Sequence, residues 1–370
     1  MVRSLLSLLV LVAGVLPATA ADDPVELELT ALVGDVSAVL DKLGHKAVRL
    51  GKFTGDGDIP SNFGPEIVRV LGVEFGKKSV KIDKDAEIEM KGEYAPATAD
   101  PQLPQAKMMF IRVNARLVNT KTRLELANLP TLSRAIYGND ALGRAFAPTV
   151  SLPPAADLKT RNEEIKKAVE KPTTHLAQTK VKSSAGSPFA IEVLVPTSAN
   201  AADPVVGVPV RDKDGCAFVD LHKTRTYRVK IHNGADFDVA VRLSVDGLDQ
   251  YTFADKEFRG PDGRPKFQYL VVPRGKSAVI RGWFRNLKTA DSFLVTEYAK
   301  SASAEVNGPQ GDIGQIAVQI HAAWDTEEEL RKESAKDTAT GRGDPVDVNL
   351  KVVKRHIGAL RDQVSVRYGK

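Results

Sequence analysis

Six histidines, His45, His175, His222, His232, His321 and His356, are the side chains best suited to proton transfer or metal ligation near neutral pH. No two of them stand at ligand spacing. His222 and His232 flank the ends of neighbouring predicted strands, so folding could pair them on a metal; solvated strand-edge histidines are the plainer alternative. Asp56 with Asp58, and Asp212 with Asp214 before Gly215, imitate the start of a calcium loop. The later oxygen ligands of a twelve-residue loop are missing in both places, and Asx residues beside glycine commonly make turns. Asp255, Glu257 and Asp262 are the acids a hydrolase would need to gather from loops, or else they solvate one. Arg342-Gly343-Asp344 spells an adhesion tripeptide in a charged, glycine-rich loop. The chain contains no His-Glu-x-x-His run, Gly-x-Ser-x-Gly elbow, Walker loop or dinucleotide glycine fingerprint.

Trp283, with Arg281 and Arg285 at alternate positions of one predicted strand, is the strongest surface candidate. On an outer face, an indole between two guanidinium groups could stack on a sugar or grip a protein. If that face is the core, the indole is buried and the arginines reach out past its rim. The single cysteine, Cys216, rules out an internal disulfide. It reads as a small buried residue of the strand Cys216–Val219, or as a reactive or intermolecularly bridging thiol.

The elements that must position these residues follow a leader. Met1–Arg3, the apolar run Leu5–Leu16 and the small residues Ala18-Thr19-Ala20 read as a secretory signal peptide cleaved after Ala20, outside the fold. No later apolar run is long enough for a membrane span. The expected address is periplasmic or extracellular. The 370 residues carry 27% charged and 42% hydrophobic side chains, an ordinary globular balance. The formal charge of +5 falls to +4 once Arg3 is removed, and the cations are spread along the chain. Nucleic acid is therefore not an expected partner, whereas anionic wall polymers or lipid head groups are compatible with the charge.

Apolar periodicity predicts helices over 25–43 and 63–75, a strand over 46–54, and strands near 80–82, 86–90, 107–117 and 123–127. This is an α+β arrangement, a small α/β sandwich over 21–130. Residues 131–186 read as a partly packed connector with a charged helix, Leu158–Glu170. From 187 to 370 short alternating strands with frequent turns predict an all-β antiparallel sandwich, Ig-like or jelly-roll-like. Asn233-Gly234 is expected to close a hairpin. Phe267–Tyr298 reads as three consecutive strands, and 325–346 as a mobile excursion.

Two resemblances accompany this reading. The helix, strand ending in Phe-Thr-Gly, helix and meander of about residues 25–128 is similar to a group of bacterial envelope proteins. That group includes the curli-transport lipoprotein CsgG, the flagellar outer-membrane protein FlgO and lipoprotein activators of peptidoglycan synthases. It implies partner binding or assembly rather than catalysis, although the lipid anchor most of its members carry is absent here. The segments SPFAIEVLV (187–195), TYRVKIHN (226–233), LSVDGL (243–248), VVPRGKSAVIRGW (271–283) and FLVTEYAKSA (293–302) resemble an uncharacterised secreted family found mainly in planctomycete bacteria, which implies no activity or site. The expectation is an exported, non-enzymatic envelope protein that binds another protein or a cell-wall polymer and needs no cofactor. Carbohydrate binding through Trp283 and a wall-directed hydrolase are the alternatives.

Overall fold

The computed structural model describes residues 11–14, 23–55, 61–99, 108–126, 131–154, 156–198, 204–261, 263–297, 301–302, 314–333 and 351–369. It shows a mixed α and β architecture in which strands predominate. Helix α1 (Pro24–Lys42) starts where Asp23 accepts a hydrogen bond from the Val25 amide, 3.0 Å away, and Pro24 occupies the first turn. Its apolar stripe, Leu29, Leu32, Val33, Val36 and Leu40, is buried, and Gly44 turns the chain out of the helix at φ 76°. Strand β1 (Ala47–Gly55) leads to α2 (Gly64–Gly76), whose Ile67, Val68, Leu71 and Phe75 join the same core.

A small sheet completes this first unit. Strand β2 (Ile88–Thr98) runs parallel to β1, β3 (Met109–Asn119) is antiparallel to β2, and β4 (Leu132–Ile136) is antiparallel to β3. The expected return strand at 123–127 shrinks to one bridge, Val118↔Glu125. Arg123 sits at φ 60° in a turn, and the strand that pairs with β3 comes a few residues later.

The stretch expected as a connector is built into the first core. Besides β4 it supplies α3 (Asn139–Phe146) and α4 (Leu158–Glu170), with Ala141, Leu142, Ile165 and Val169 buried in the cluster that α1 and α2 form. The charges of α4 do occupy a solvated face, but Arg161 and Asn162 turn inward. Asn162 bridges both backbone groups of Met109, at 2.8 and 3.1 Å, and Arg161 donates to the carbonyls of Pro153 and Leu360. Buried polar groups of this kind need partners, and here the partners belong to the neighbouring layers.

The remaining strands form two sheets over one core. The principal ones, in chain order, are β5 (Lys180–Lys182), β6 (Phe189–Pro196), β7 (Cys216–Val219), β8 (Thr226–Asn233), β9 (Asp238–Val245), β10 (Leu270–Val272), β11 (Ser277–Ile280), β12 (Gly282–Phe284), β13 (Ala290–Leu294), β14 (Gln315–Trp324) and β15 (His356–Tyr368). One sheet contains β7-β15-β14-β9-β10, the other β12-β13-β8-β6-β5 with β11 also against β8. Ile191, Val193, Tyr227, Val229 and Ile231 of one sheet pack with Val239, Val241, Leu243, Ile316, Val318, Val364 and Val366 of the other. The pairing of β7 with β15 is parallel, a departure from the all-antiparallel expectation.

Three sequence expectations change here. Asn233-Gly234 closes no hairpin, because β8 and β9 lie in different sheets. The Asn233 side chain instead donates to the carbonyls of Phe237 and Val272, both at 2.9 Å, and accepts from the Ala235 amide. A side chain that satisfies three backbone groups can hold an inter-sheet corner in place of a ladder. Phe267–Tyr298 likewise divides, with β10 in one sheet and β11, β12 and β13 in the other. The expected excursion begins as a short helix, α5 (Glu327–Glu333), with Leu330 buried; its continuation to 346 lies outside the described residues. Within the expected leader, Leu11–Gly14 pair antiparallel with β10 and parallel with Lys351–Lys354. The backbone groups of these four residues extend the sheet at β10. Among the described residues no helix is long and apolar enough to cross a membrane.

The two units are joined by polar contacts. Burial alone would raise the Asp23 carboxyl, yet the charge and hydrogen bonds of Arg144, with Arg242 behind, hold it down at about 2. Arg144 also meets Glu66 at 2.8 Å, and Arg242 of β9 meets Glu66 at 3.5 Å and Asp249 at 2.9 Å. At the turn after β9, Gly247 has φ 78°, and an added Cβ would stand 1.6 Å from the Asn62 carbonyl oxygen. On the other side Asp362 of β15 is fully buried, accepting from Ser183 at 2.6 Å and Ser187 at 2.8 Å and also bonded to Ser151. Its second carboxyl oxygen has no hydrogen-bond partner, and burial pushes the group up to about 7.

Two outcomes are expected. Replacing Arg144 with Met takes from the part-buried Asp23 its ion-pair partner and leaves Glu66 with Arg242 at 3.5 Å, and should destabilise the protein by about 3–5 kcal/mol in denaturant melts. An Arg144→Met protein as stable as wild type would contradict a stabilising role for these ion pairs. For Asp362, the folded state retains a proton between pH 3.8 and about 7 that the unfolded state has released. Stability therefore falls as pH rises through that window and levels off above it. Relative to Asp362→Asn, wild-type melting temperature should decline between about pH 4 and pH 7; parallel curves for the two proteins would contradict this.

Candidate functional site on the outer face of the second sheet

Strand alternation decides what the outside of the second sheet carries. Because Tyr227, Val229 and Ile231 of β8 enter the core, Arg228, Lys230 and His232 must point away from it. By the same logic β6 presents Glu192, β11 presents Ser277 and β5 presents Lys180 and Lys182. The register brings these together: Glu192 lies opposite both Lys180 and Lys230, and His232 lies opposite Ser277. Arg281 follows β11 as an exposed residue whose charge, after burial, depresses the pKa of Arg228. Among the described residues of these strands, five cations surround one carboxylate, Glu192.

A hydrogen-bonded row crosses this face. Thr179 donates to Glu192 Oε1 at 2.5 Å, Glu192 Oε2 lies 3.1 Å from His232 Nε2, and His232 Nδ1 lies 3.0 Å from Ser277 Oγ. Burial would raise the Glu192 carboxyl, but the hydrogen bonds from Thr179 and His232 bring it below its ordinary value. Burial lowers His232, and Lys230 and Lys180 repel its proton further, against the opposing pull of Glu192. Near neutral pH the row thus holds an ionised carboxylate and a neutral imidazole. A carboxylate can only accept, so Nε2 carries the proton and the Nδ1 lone pair faces the Ser277 hydroxyl.

The sequence-predicted candidates are distributed differently. Trp283 is 8% exposed and packs edge-on against Phe253 and Phe293, ring centroids 5.4 and 5.1 Å away. Its side chain belongs to the core between the sheets, the second of the two arrangements open from sequence. Arg285 is tied to Asp255 at 2.6 Å and Asp291 at 3.2 Å. The strand breaks at Arg281, between β11 and β12, so the three residues do not make a flat aromatic platform. Asp255 is occupied by Arg285 and Asn286, and Asp262 lies outside the described residues, as do Asp56, Asp58 and Arg342–Asp344. Asp212 accepts from the Gly215 amide as an Asx turn.

His222 is exposed and His321 is buried against Tyr269; among the described residues no cluster of His, Cys, Asp or Glu could hold a metal ion. Cys216 is half-buried and free, its thiol pushed up by burial. A second, smaller feature is the pocket of about 370 Å³, open mouth included, between the units beside Asp23, Arg69, Arg242 and Arg264.

Glu192 and Ser277 escaped sequence reading because they lie 40 and 45 positions from His232. Only the pairing of three strands brings them together. Replacing Glu192 with Gln removes the one carboxylate that favours the protonated imidazole, so the His232 pKa should fall further below 6.5. Histidine titration by NMR would show this, and an unchanged His232 curve would contradict the pairing. No family model matches this chain, and no curated protein or solved structure matches it either.

Proposed function

We propose that this is an exported envelope protein that works by binding another macromolecule, and that the basic outer face of the second sheet receives an anionic polymer of the cell wall. The observation that carries the reading is the local charge imbalance: among the described residues of these strands and Arg281 beside them, Lys180, Lys182, Arg228, Lys230 and Arg281 outnumber the single carboxylate Glu192. Like charges held together on a rigid sheet create a positive potential that a polyanion relieves. The strands keep the ammonium and guanidinium groups in rows, which suits a polymer with regularly repeated charge. The finer description of the fold belongs to the same reading. A small α/β sandwich followed by an Ig-like or jelly-roll-like β-sandwich is supported by two sheets sharing one core, and the parallel β7–β15 pairing qualifies it. Export itself rests on the leader-like sequence of residues 1–20.

The test is fluorescence anisotropy with labelled polyglucuronate, at low and physiological salt, against wild type and a Lys180→Glu/Lys230→Glu double variant. The expected result is salt-sensitive binding that the double variant weakens roughly tenfold or more. Equal binding by the two proteins, or none by wild type, would overturn the polymer reading. Capture by anionic vesicles without polyglucuronate binding would overturn it in favour of a lipid surface.

A further inference from the structure

The row Glu192–His232–Ser277 has the order of a carboxylate, a base and a nucleophile, and each link has the polarity that order requires. Glu192 fixes the imidazole through Nε2, which leaves Nδ1 as a hydrogen-bond acceptor 3.0 Å from the serine oxygen. A second acceptor bond, from Thr179, holds the carboxylate itself. Such constellations are recognised by geometry and role and not by position in the chain; in this row Nδ1 meets the serine and Nε2 the carboxylate. The three residues stand on adjacent antiparallel strands, so their spacing is fixed by backbone ladders on both sides. Ser277 is partly exposed, so a ligand can reach its oxygen from the open face.

We propose that Ser277 is an activated nucleophile, with His232 as its base and Glu192 as the positioning carboxylate, and that it takes acyl groups from small esters. This goes beyond binding and does not depend on the polymer reading.

The chemistry balances with water as the only co-reactant. As Ser277 Oγ attacks the ester carbonyl carbon, its proton passes to His232 Nδ1, and the new C–O bond forms. The tetrahedral intermediate collapses with cleavage of the bond to the leaving alkoxide, which departs as the alcohol with the proton from Nδ1. Water then gives a proton to His232 and attacks the acyl-serine, releasing the carboxylic acid and restoring the Ser277 hydroxyl. Lys230, whose charge opposes protonation of His232, stands two positions along β8 from His232 on the same face and favours the negative oxygen of the intermediate. A neutral His232 at rest is the form a general base requires.

The experiment uses the full chain with a fluorophosphonate probe, which forms an Oγ–P bond and releases fluoride, and with 4-nitrophenyl acetate. Mass spectrometry should place the phosphonyl adduct on Ser277, and Ser277→Ala and His232→Ala should each lower acetate release by roughly a hundredfold or more. Release should rise with pH along a limb centred below 6.5, and Glu192→Gln should move that limb to lower pH. Ser277→Ala is expected to melt as wild type does, which separates loss of the nucleophile from loss of fold. Absence of the adduct, an adduct confined to other residues, or equal release by wild type and Ser277→Ala would each overturn the proposal. Neither small probe needs a polymer, so failure here leaves the binding reading intact, and failure of polymer binding leaves this inference intact.

Discussion

The two-residue period of the strands is the constraint on which the rest of this structure depends. On β8 it commits Tyr227, Val229 and Ile231 to the core, and in the same act commits Arg228, Lys230 and His232 to the outside. A one-residue slip would bury three polar or charged groups and expose three large apolar ones, so the core fixes the register and the register fixes the face. The site is therefore a by-product of packing in a strict sense. Glu192, His232 and Ser277 meet because Ile191, Ile231 and Ala278 interlock behind them.

The union of the two units follows different physics. Their contact is rich in groups that are costly to bury: Arg144, Arg242, Glu66 and Asp23 at one side, and Asp362, bonded to Ser151 of the first unit, at the other. Buried ion pairs add little net stability over apolar packing, but they punish misalignment heavily, since a displaced partner leaves a charge without solvent or counter-ion. The arrangement favours one relative placement over many. Gly247 against the Asn62 carbonyl acts the same way sterically, because a Cβ there would stand 1.6 Å from that backbone oxygen. Arg161 and Gln363 reach across to backbone carbonyls and close the remaining seams.

On the outer face the electrostatics work jointly. The lysines that give the surface its positive potential also keep the proton off His232, while Glu192, held ionised by Thr179 and His232, sets the tautomer. A basic surface and an imidazole left unprotonated near neutral pH are thus two consequences of one charge distribution.

Local pattern determined much of this protein. The helices α1 and α2 and the inward residues of β8, β9 and β14 are readable from apolar spacing, because a helix or strand buries a face whose period is set by its own backbone. What the sequence alone did not determine was which strands are neighbours. Asn233-Gly234 has the chemistry of a hairpin turn, but here the asparagine satisfies carbonyls from two places and the chain changes sheets. The expected connector became core because Ile165 and Val169 found a surface that only the folded first unit offers. Strand alternation alone left the face of Trp283 open, and the neighbouring Phe253 and Phe293 enclose it. The Glu192–His232–Ser277 row was invisible for the same reason: its members are distant in the chain, and adjacency across strands is decided by the packing of the whole core.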